Sequence, residues 1–376
     1  MAIERVLKML NKPYVKSFKD EYDVVFDCVD IYKQPALDHP LLKNHTIQVT
    51  NYRFHFFPLQ ATHFGLLQLS SMFRVILPRS STESTGSKSS TAEPIRFSRQ
   101  ESCPDGTVPI RRTLKQDLTK PGHQWSGRTA CEFLLLCYRE KSYSAIFHEN
   151  ISLKIIRSQP LVQFAMMLMD SEKGSKLQGA GAVLEVDSPY VPPDQSSSAQ
   201  IILLDNSSDK IGCIQTGWHA DDYQTTGCLN MLCPGFVLTS QTAAPGMAFP
   251  TGTLVGISMS KTESGDWYVF LNQQSVGYFP KQIFNNMDGA TEAQMGGITY
   301  APPGQKSPPM GNGVAPSSDT NITASTFTHL EPRGATVARA WVTKDVDQAI
   351  YNIVMTSNSY TGPQGMAFQY GGPGGA

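Results

Sequence analysis

From about residue 161 onward, the chain consists of short apolar segments separated by turn residues. The segments are rich in β-branched or aromatic side chains, and Gly, Pro, Asn and Ser fill the intervals. Many short strands at regular spacing are typical of an antiparallel sandwich or barrel. We therefore predict an all-β domain over residues 161–376, with strands over Gly181–Val186, Ala199–Asp205, Ile211–Trp218, Leu254–Ser260, Trp267–Leu271 and Gln294–Tyr300. Only Lys281–Met287 suggests a short helix there.

Length and charge limit the function classes. The 376 residues suit two domains, or one large β domain with a leader. Lys and Arg number 31 against 32 Asp and Glu, so we expect no nucleic-acid partner. Because no apolar run reaches about 18 residues, we expect no membrane-spanning helix. Residues 1–11 predict an amphipathic helix ending before Pro13, and their charges argue against a signal peptide.

The chain before residue 161 is uneven. Residues 51–95 are aromatic without periodicity and then Ser/Thr-rich, which predicts disorder or translated non-coding sequence. Pro-Asp-Gly at 104–106 predicts a turn. Residues 119–160 show no pattern and are interpreted as an irregular linker.

Five segments together resemble one family. They are CVDIYKQPALDHPLLKNHTIQ from Cys28, CPDGTVPIRRT from Cys103, IQTGWH from Ile214, DDYQTTGCLNMLCPGFV from Asp221 and FQYGGPGG from Phe368. In this order they resemble plant neprosin-domain proteins, whose activation-peptide region would here be residues 1–118. The resemblance implies a jelly-roll-like antiparallel β-sandwich of two sheets, with a small mixed N-terminal pro-region.

The resemblance also implies a chemistry. Characterised neprosins are glutamic endopeptidases that cut after proline at acid pH, without a cofactor or metal. Two glutamates face each other across a cleft on the sandwich, and the expected partner is a proline-containing polypeptide. Such a pair lets one carboxylate take a proton from the attacking water while the other group stabilises the tetrahedral oxygen.

Both glutamate positions are substituted in this chain. The first lies three residues before the Gly-Trp tryptophan and is Gln215, and the second follows a Gly-Gly pair and is Ile298. Glu292 lies six residues from position 298, about 20 Å along a strand, which argues against its serving the same cleft. We therefore predict a catalytically inactive copy. Two alternatives stay open, an active post-proline endopeptidase using other cleft acids and a β-sandwich module that binds protein or polysaccharide.

Aromatic residues offer a cleft wall. Trp218, Trp267 and Tyr268 lie on predicted strands. In this family, aromatic side chains of the cleft could pack against a substrate proline, although packing in the core is the simpler interpretation. We assign His219 to the same cleft. The adjoining acids at 221 and 222 otherwise make His219 typical of a solvated turn.

The cysteines and sequons point to an oxidising compartment. By resemblance we expect disulfides between Cys28 and Cys103 and between Cys228 and Cys233, with metal binding by the latter pair as the less favoured alternative. Three further cysteines have no assigned partner, and in the cytosol all seven would stay reduced. Together with the resemblance, four sequons predict a secreted glycoprotein, at Asn44, Asn150, Asn206 and Asn321.

Two departures suggest degeneration. A stretch of about twenty residues that the family places after the Gly-Trp motif is absent, since His219-Ala220 leads directly into Asp221. That stretch would supply a strand, so its loss predicts an opened sheet or an unpaired edge beside residue 219. The family's C-terminal cysteines are also missing. A truncated product with no stable fold is therefore a third hypothesis.

Overall fold

The computed structural model describes residues 2–48, 72–75, 101–115, 117, 161–208, 212–220, 235–284, 287–317, 323–342, 350–360 and 363–375, with backbone alone at 72–75. An α-helix, α1, spans Ala2–Leu10 and confirms the predicted N-terminal helix. The strands in chain order are β1 Tyr14–Lys19, β2 Val25–Asp30, β3 Met72–Val75, β4 Thr107–Arg111, β5 Leu161–Ser171, β6 Gly179–Glu185, β7 Ser196–Asp205, β8 Gly212–Ala220, β9 Val237–Leu238, β10 Ala248–Phe249, β11 Leu254–Lys261, β12 Trp267–Leu271, β13 Gln274–Phe279, β14 Glu292–Ala301, β15 Ser325–Arg333, β16 Val337–Val342, β17 Asn352–Ser357 and β18 Ala367–Gly371.

Two large sheets form the main domain. The seven-stranded sheet has the order β10-β3-β8-β7-β14-β5-β16, and the eight-stranded sheet has the order β17-β18-β15-β6-β11-β12-β13-β9. Their strands pair antiparallel, except that β3 is parallel to both β8 and β10. All six predicted strands are present, and the predicted antiparallel sandwich is confirmed.

The main core lies between these sheets. Alternate residues of the central strands point inward, among them Ile201 on β7, Trp218 on β8 and Met295 on β14. They share one buried cluster with Ile257 and Phe327 of the eight-stranded sheet. The intervening residues of β7, β8 and β14 face the opposite side, which we call the outer face of the seven-stranded sheet.

The N-terminal region forms a separate three-stranded sheet in the order β1-β2-β4. A disulfide between Cys28 and Cys103 joins β2 to the segment before β4, as the resemblance implied. The side chain of Gln34 then docks this region on the edge strand β9. Its Nε2 donates to the Leu238 carbonyl over 3.1 Å, and its Oε1 accepts from the Leu238 amide over 2.8 Å. One side-chain amide thus satisfies both backbone groups of Leu238 on the edge strand of the sheet.

Three expectations are corrected. Met72–Val75 forms β3, although residues 51–95 were expected to lack structure. Because β3 pairs with β8, the edge of β8 beside His219 is not left unpaired. The expected helix near Lys281–Met287 is a single 3-10 turn, Lys281–Ile283. The linker expected at 119–160 lies outside the described residues.

Candidate functional site

Gln215 and Ile298, the two positions predicted to replace the family glutamates, lie on the outer face of the seven-stranded sheet. Gln215 on β8 is the register partner of Ile202 on β7, and Ile298 on β14 is the partner of Ser198 on the same strand. Ile202 and Ser198 are an even number of residues apart, so they and their partners share one face. We call each set of register partners whose side chains point to the outer face a row, so that successive rows are two residues apart along a strand. The two positions are separated by β7, about 10 Å across the sheet, and by two rows, about 13 Å along it.

Ile298 lies in an apolar cluster. It is 6% exposed and packs with Met166 and Ile202 in a group separate from the main core. Partly buried apolar residues surround this group, namely Val162, Phe164, Leu168 and Cys213. An ionised carboxylate among these side chains would lose its hydration, which is costly unless it is paired. The cluster therefore suits a hydrocarbon side chain at position 298.

The other end of the outer face of β14 is polar. Gln294 lies in the same row as Gln215, and Glu292 lies one row farther on. Gln294 Nε2 donates to Glu292 Oε1 over 2.5 Å, and both side chains are buried. Glu292 is therefore one row from Gln215, whereas Ile298 is two rows away in the opposite direction. The argument from sequence spacing excluded Glu292 because it lies six residues from position 298. The structure shows that Glu292 nevertheless shares the outer face with Gln215.

A second carboxyl group adjoins Glu292. Asp170 on β5 is its register partner, and Arg339 on β16 is the next partner in that row. Burial raises the pKa of Asp170, and the charge of Arg339 partly offsets this effect. The two carboxyl groups are neighbours on adjacent strands at the end of the face remote from Ile298. The carboxyl groups of Glu292 and Asp170 therefore do not lie on opposite sides of Gln215, as a pair facing each other across a cleft would.

Gln200 stands between the two substituted positions. It lies on β7 in the row between those of Ile202 and Ser198, so it is the middle of the diagonal from Gln215 to Ile298. Sequence analysis missed this residue. The segment AQIILLD contains one amide, Gln200, among apolar residues, and this was the available signal. Strand alternation assigns Gln200 to the face opposite the core.

Comparison with known proteins identifies the family. The family model described as Neprosin matches residues 193–373, and the model described as Neprosin activation peptide matches residues 17–129. The chain belongs to the neprosin family. The order of the two matches confirms the predicted arrangement, with an activation-peptide region preceding the neprosin domain.

Two solved peptidase structures are also similar to this neprosin. One is SCP-B, a member of the eqolisin family, in complex with the tripeptide Ala-Ile-His, with a TM-score of 0.33. The other is scytalido-glutamic peptidase with a peptide-based transition-state analogue, with a TM-score of 0.32. Each is 12% identical and covers 57% of this chain and 99% of its own. TM-scores of this size are too low to establish a common mechanism.

Four residues were assigned to the cleft, and one of them, His219, lies on the outer face of the seven-stranded sheet. It lies in the row of Ile298 and is 8% exposed within β8, so the solvated-turn interpretation is wrong. Trp218 points to the opposite face, is 1% exposed and donates from Nε1 to the Glu185 carbonyl over 2.8 Å. Trp267 and Tyr268 are buried in the main core from β12 of the other sheet. These three aromatic residues therefore form core, not a wall of this face.

The cysteine assignments are settled in part. Cys213, for which no partner was predicted, is disulfide-bonded, and its partner is not among the described residues. The predicted bond between Cys228 and Cys233 lies outside the described residues. Of the sequons, Asn44 and Asn206 are exposed, and the other two lie outside the described ranges. Within those ranges there is no group of three or more His, Cys, Asp or Glu side chains that could hold a metal, and no helix long and apolar enough to cross a membrane.

A buried polar group lies behind the Ile298 end of the sheet. Tyr370 packs beneath Gly297, where an added Cβ would lie 2.7 Å from the tyrosine ring. Ser325 hydrogen-bonds Asp187, which is 2% exposed, whereas the buried Tyr370 hydroxyl has no hydrogen-bond partner among the described residues. Burial raises the pKa of Asp187 to about 7, against the hydrogen bond from Ser325, and the charge of Glu185 raises it further. Asp187 therefore holds a proton at acid pH.

Proposed function

We propose that this neprosin binds an extended, proline-containing polypeptide on the outer face of its seven-stranded sheet without hydrolysing it. The observation that carries the proposal is Ile298 within its apolar cluster. Peptide hydrolysis by paired acids needs one group that accepts a proton from water and another that stabilises or protonates the tetrahedral oxygen. Gln215 can hydrogen-bond but does not ionise, and Ile298 can do neither.

The composition of the outer face supports a polypeptide as its ligand. Three side-chain amides, those of Gln215, Gln200 and Gln294, lie on two neighbouring rows, and an amide is a group that can pair with a peptide backbone. The apolar cluster at Ile298 offers contact to a ring that carries no N–H group. That combination fits an extended chain containing proline, which has an apolar ring and a backbone carbonyl but no amide proton.

The proposal is tested with the full chain and an internally quenched peptide containing a central proline. We expect saturable binding of this peptide at acid pH and no cleavage. Restoring an ionisable group with Ile298→Glu should introduce slow turnover, whereas the uncharged control Ile298→Gln should not. Turnover by the wild-type chain that disappears in Gln215→Ala would refute the inactive assignment. Absence of binding by wild-type protein would refute the polypeptide ligand.

A second candidate function is an active peptidase that uses Glu292 with Gln215. The observation favouring it is the register, because Glu292 lies on the same face one row from Gln215. A general acid–base group contributes about 10²–10⁴-fold to rate. Any wild-type turnover should therefore fall at least a hundredfold, roughly, in Glu292→Gln, and remain unchanged in Glu263→Gln, which removes an exposed glutamate from a turn. Equal rates in the two variants would exclude Glu292 as a catalytic residue.

We further propose that the chain is a secreted glycoprotein. The disulfide between Cys28 and Cys103 suits an oxidising compartment, and the sequon residues Asn44 and Asn206 are exposed. Expression through a secretory pathway should give protein whose electrophoretic mobility increases after deglycosylation. The double variant Asn44→Gln/Asn206→Gln should lose part of that shift. Secreted protein that carries no glycan at either residue would contradict the assignment of these two sites.

A further inference from the structure

We propose that Gln200 is a binding residue for the polypeptide, accepting a hydrogen bond from a backbone N–H group of the ligand. This inference rests on the proposed function and adds a specific contact to it. It starts from an atom that the fold leaves unsatisfied. Gln200 is 3% exposed, and in the part of the chain that the structure describes its Oε1 has no hydrogen-bond partner. A buried carbonyl oxygen without a partner is rare in native proteins, because desolvation is then uncompensated.

The amide orientation of Gln200 follows from its neighbours. Ser198 Oγ accepts from Gln200 Nε2 over 2.7 Å and donates to the Ile298 carbonyl over 3.3 Å. The side-chain nitrogen is thus fixed by a chain of two hydrogen bonds. Oε1 is the end that remains available to a donor.

Both register partners of Gln200 are glycines. They are Gly217 on β8 and Gly296 on β14. A Cβ on Gly217 would overlap the Ala199 carbonyl oxygen, and a Cβ on Gly296 would overlap the Ala165 carbonyl oxygen. Both positions are therefore restricted to glycine by close strand approach. The row of Gln200 accordingly has no side chain on either adjacent strand that could reach Oε1.

The position of Gln200 defines which ligand group it meets. It is the midpoint between Gln215 and Ile298, so a polypeptide that spans those two positions passes over it. An acceptor there complements a backbone N–H group and discriminates against proline, which has none. We therefore infer that the ligand places proline near the apolar cluster of Ile298 and a residue other than proline over Gln200.

The test compares wild-type protein with Gln200→Met, which keeps the length of the side chain but removes its amide. The probes are the proline-containing peptide and a series in which one backbone amide at a time is replaced by an ester, so that one N–H is lost in each. For wild-type protein, one ester should weaken binding about tenfold, the equivalent of one hydrogen bond. In Gln200→Met that ester should have no further effect, while the effects of the other esters persist.

Thermal unfolding supplies an independent readout. Gln200→Met removes an unsatisfied buried carbonyl but also breaks the bond from Nε2 to Ser198 Oγ, so its Tm should fall no further than that of Ser198→Ala, which breaks the same bond. The matched variant Gln294→Met, on the same face, should lower Tm, because it breaks the bond to Glu292. A loss of Tm in Gln200→Met larger than that in Ser198→Ala would assign the whole amide to the fold and overturn the inference. An ester profile identical in wild type and Gln200→Met would overturn it while leaving the proposed function intact. Absence of wild-type binding would instead refute the proposed function.

Discussion

The two ends of the outer face of β14 have opposite chemistry. At one end Glu292 accepts a hydrogen bond from Gln294, and Asp170 and Arg339 complete a charged row. At the other end Ile298 packs with Met166 and Ile202, although Ser198 and His219 lie in its row. Both ends belong to one strand and one face, so strand propensity does not distinguish them. The difference lies in what each side chain contacts on the neighbouring strands.

This comparison shows where the protein tolerates a buried carboxyl group. Glu292 is buried together with a donor, and Asp187 behind the sheet is buried beside the hydroxyl groups of Ser325 and Tyr370. Position 298 offers no such donor from the side chains of its cluster. A carboxyl group there would need water, a ligand or a rearranged cluster to satisfy it.

The largest expected effect comes from placing a charge at the apolar end. Ile298→Glu should lower the free energy of unfolding by about 3–4 kcal/mol at neutral pH, because the apolar cluster raises the pKa of the new carboxyl group. The loss should be smaller at acid pH, where the group is neutral. Ile298→Leu should cost less than about 1.5 kcal/mol. Urea unfolding at both pH values measures these differences, and an Ile298→Glu protein as stable as Ile298→Leu at neutral pH would show that position 298 is hydrated.

An effect of similar size is expected from Asp187, the carboxyl group behind that end. The folded-state pKa of Asp187, about 7, exceeds the unfolded value of about 3.9. The folded state thus binds the proton more tightly, so the stabilisation is complete below about pH 4 and is lost as pH rises to about 7. The difference between these two pKa values corresponds to about 4 kcal/mol. Asp187→Asn should flatten the pH dependence of unfolding across this window. An unchanged pH profile in Asp187→Asn would exclude Asp187 as its source.

Breaking the polar end should have an intermediate effect. Glu292→Gln replaces a carboxylate acceptor by a neutral amide opposite the Gln294 donor, and we expect a loss of about 1–2 kcal/mol at neutral pH. Glu263→Gln, at an exposed turn, should change stability by less than about 0.5 kcal/mol. Chemical denaturation compares the two variants. Equal stabilities would mean that the hydrogen bond between Gln294 and Glu292 contributes nothing net.

The smallest effect is expected at Ser198, between the two ends. Ser198→Ala removes the acceptor that orients Gln200 Nε2 and the donor to the Ile298 carbonyl. We expect a loss of about 1 kcal/mol in stability and weaker peptide binding, because the Gln200 amide loses its fixed orientation. Isothermal titration calorimetry and thermal unfolding measure the two effects. Unchanged binding in Ser198→Ala would separate the orientation of Gln200 from ligand recognition.

Several features of the site were predictable from local sequence. The Gly-Trp and Gly-Gly motifs predict that Gln215 and Ile298 occupy the glutamate positions, which stays a prediction. Strand alternation alone places Trp218 and His219 on opposite faces. The assignment of both residues to one cleft ignored that alternation. The burial of Trp267 and Tyr268 could not be decided from their own strand, since it depends on packing in the eight-stranded sheet.

The sequence by itself determined the antiparallel β architecture, the family and the disulfide between Cys28 and Cys103, because these follow from local periodicity and from motifs that are contiguous in the chain. Tertiary structure alone decided which rows Gln215, Gln200 and Ile298 occupy and that β3 covers the edge of β8. Strand register is set by pairing between residues far apart in sequence, and a shift of one residue moves every side chain to the other face. For that reason the unsatisfied oxygen of Gln200 becomes visible only once β8, β7 and β14 are aligned.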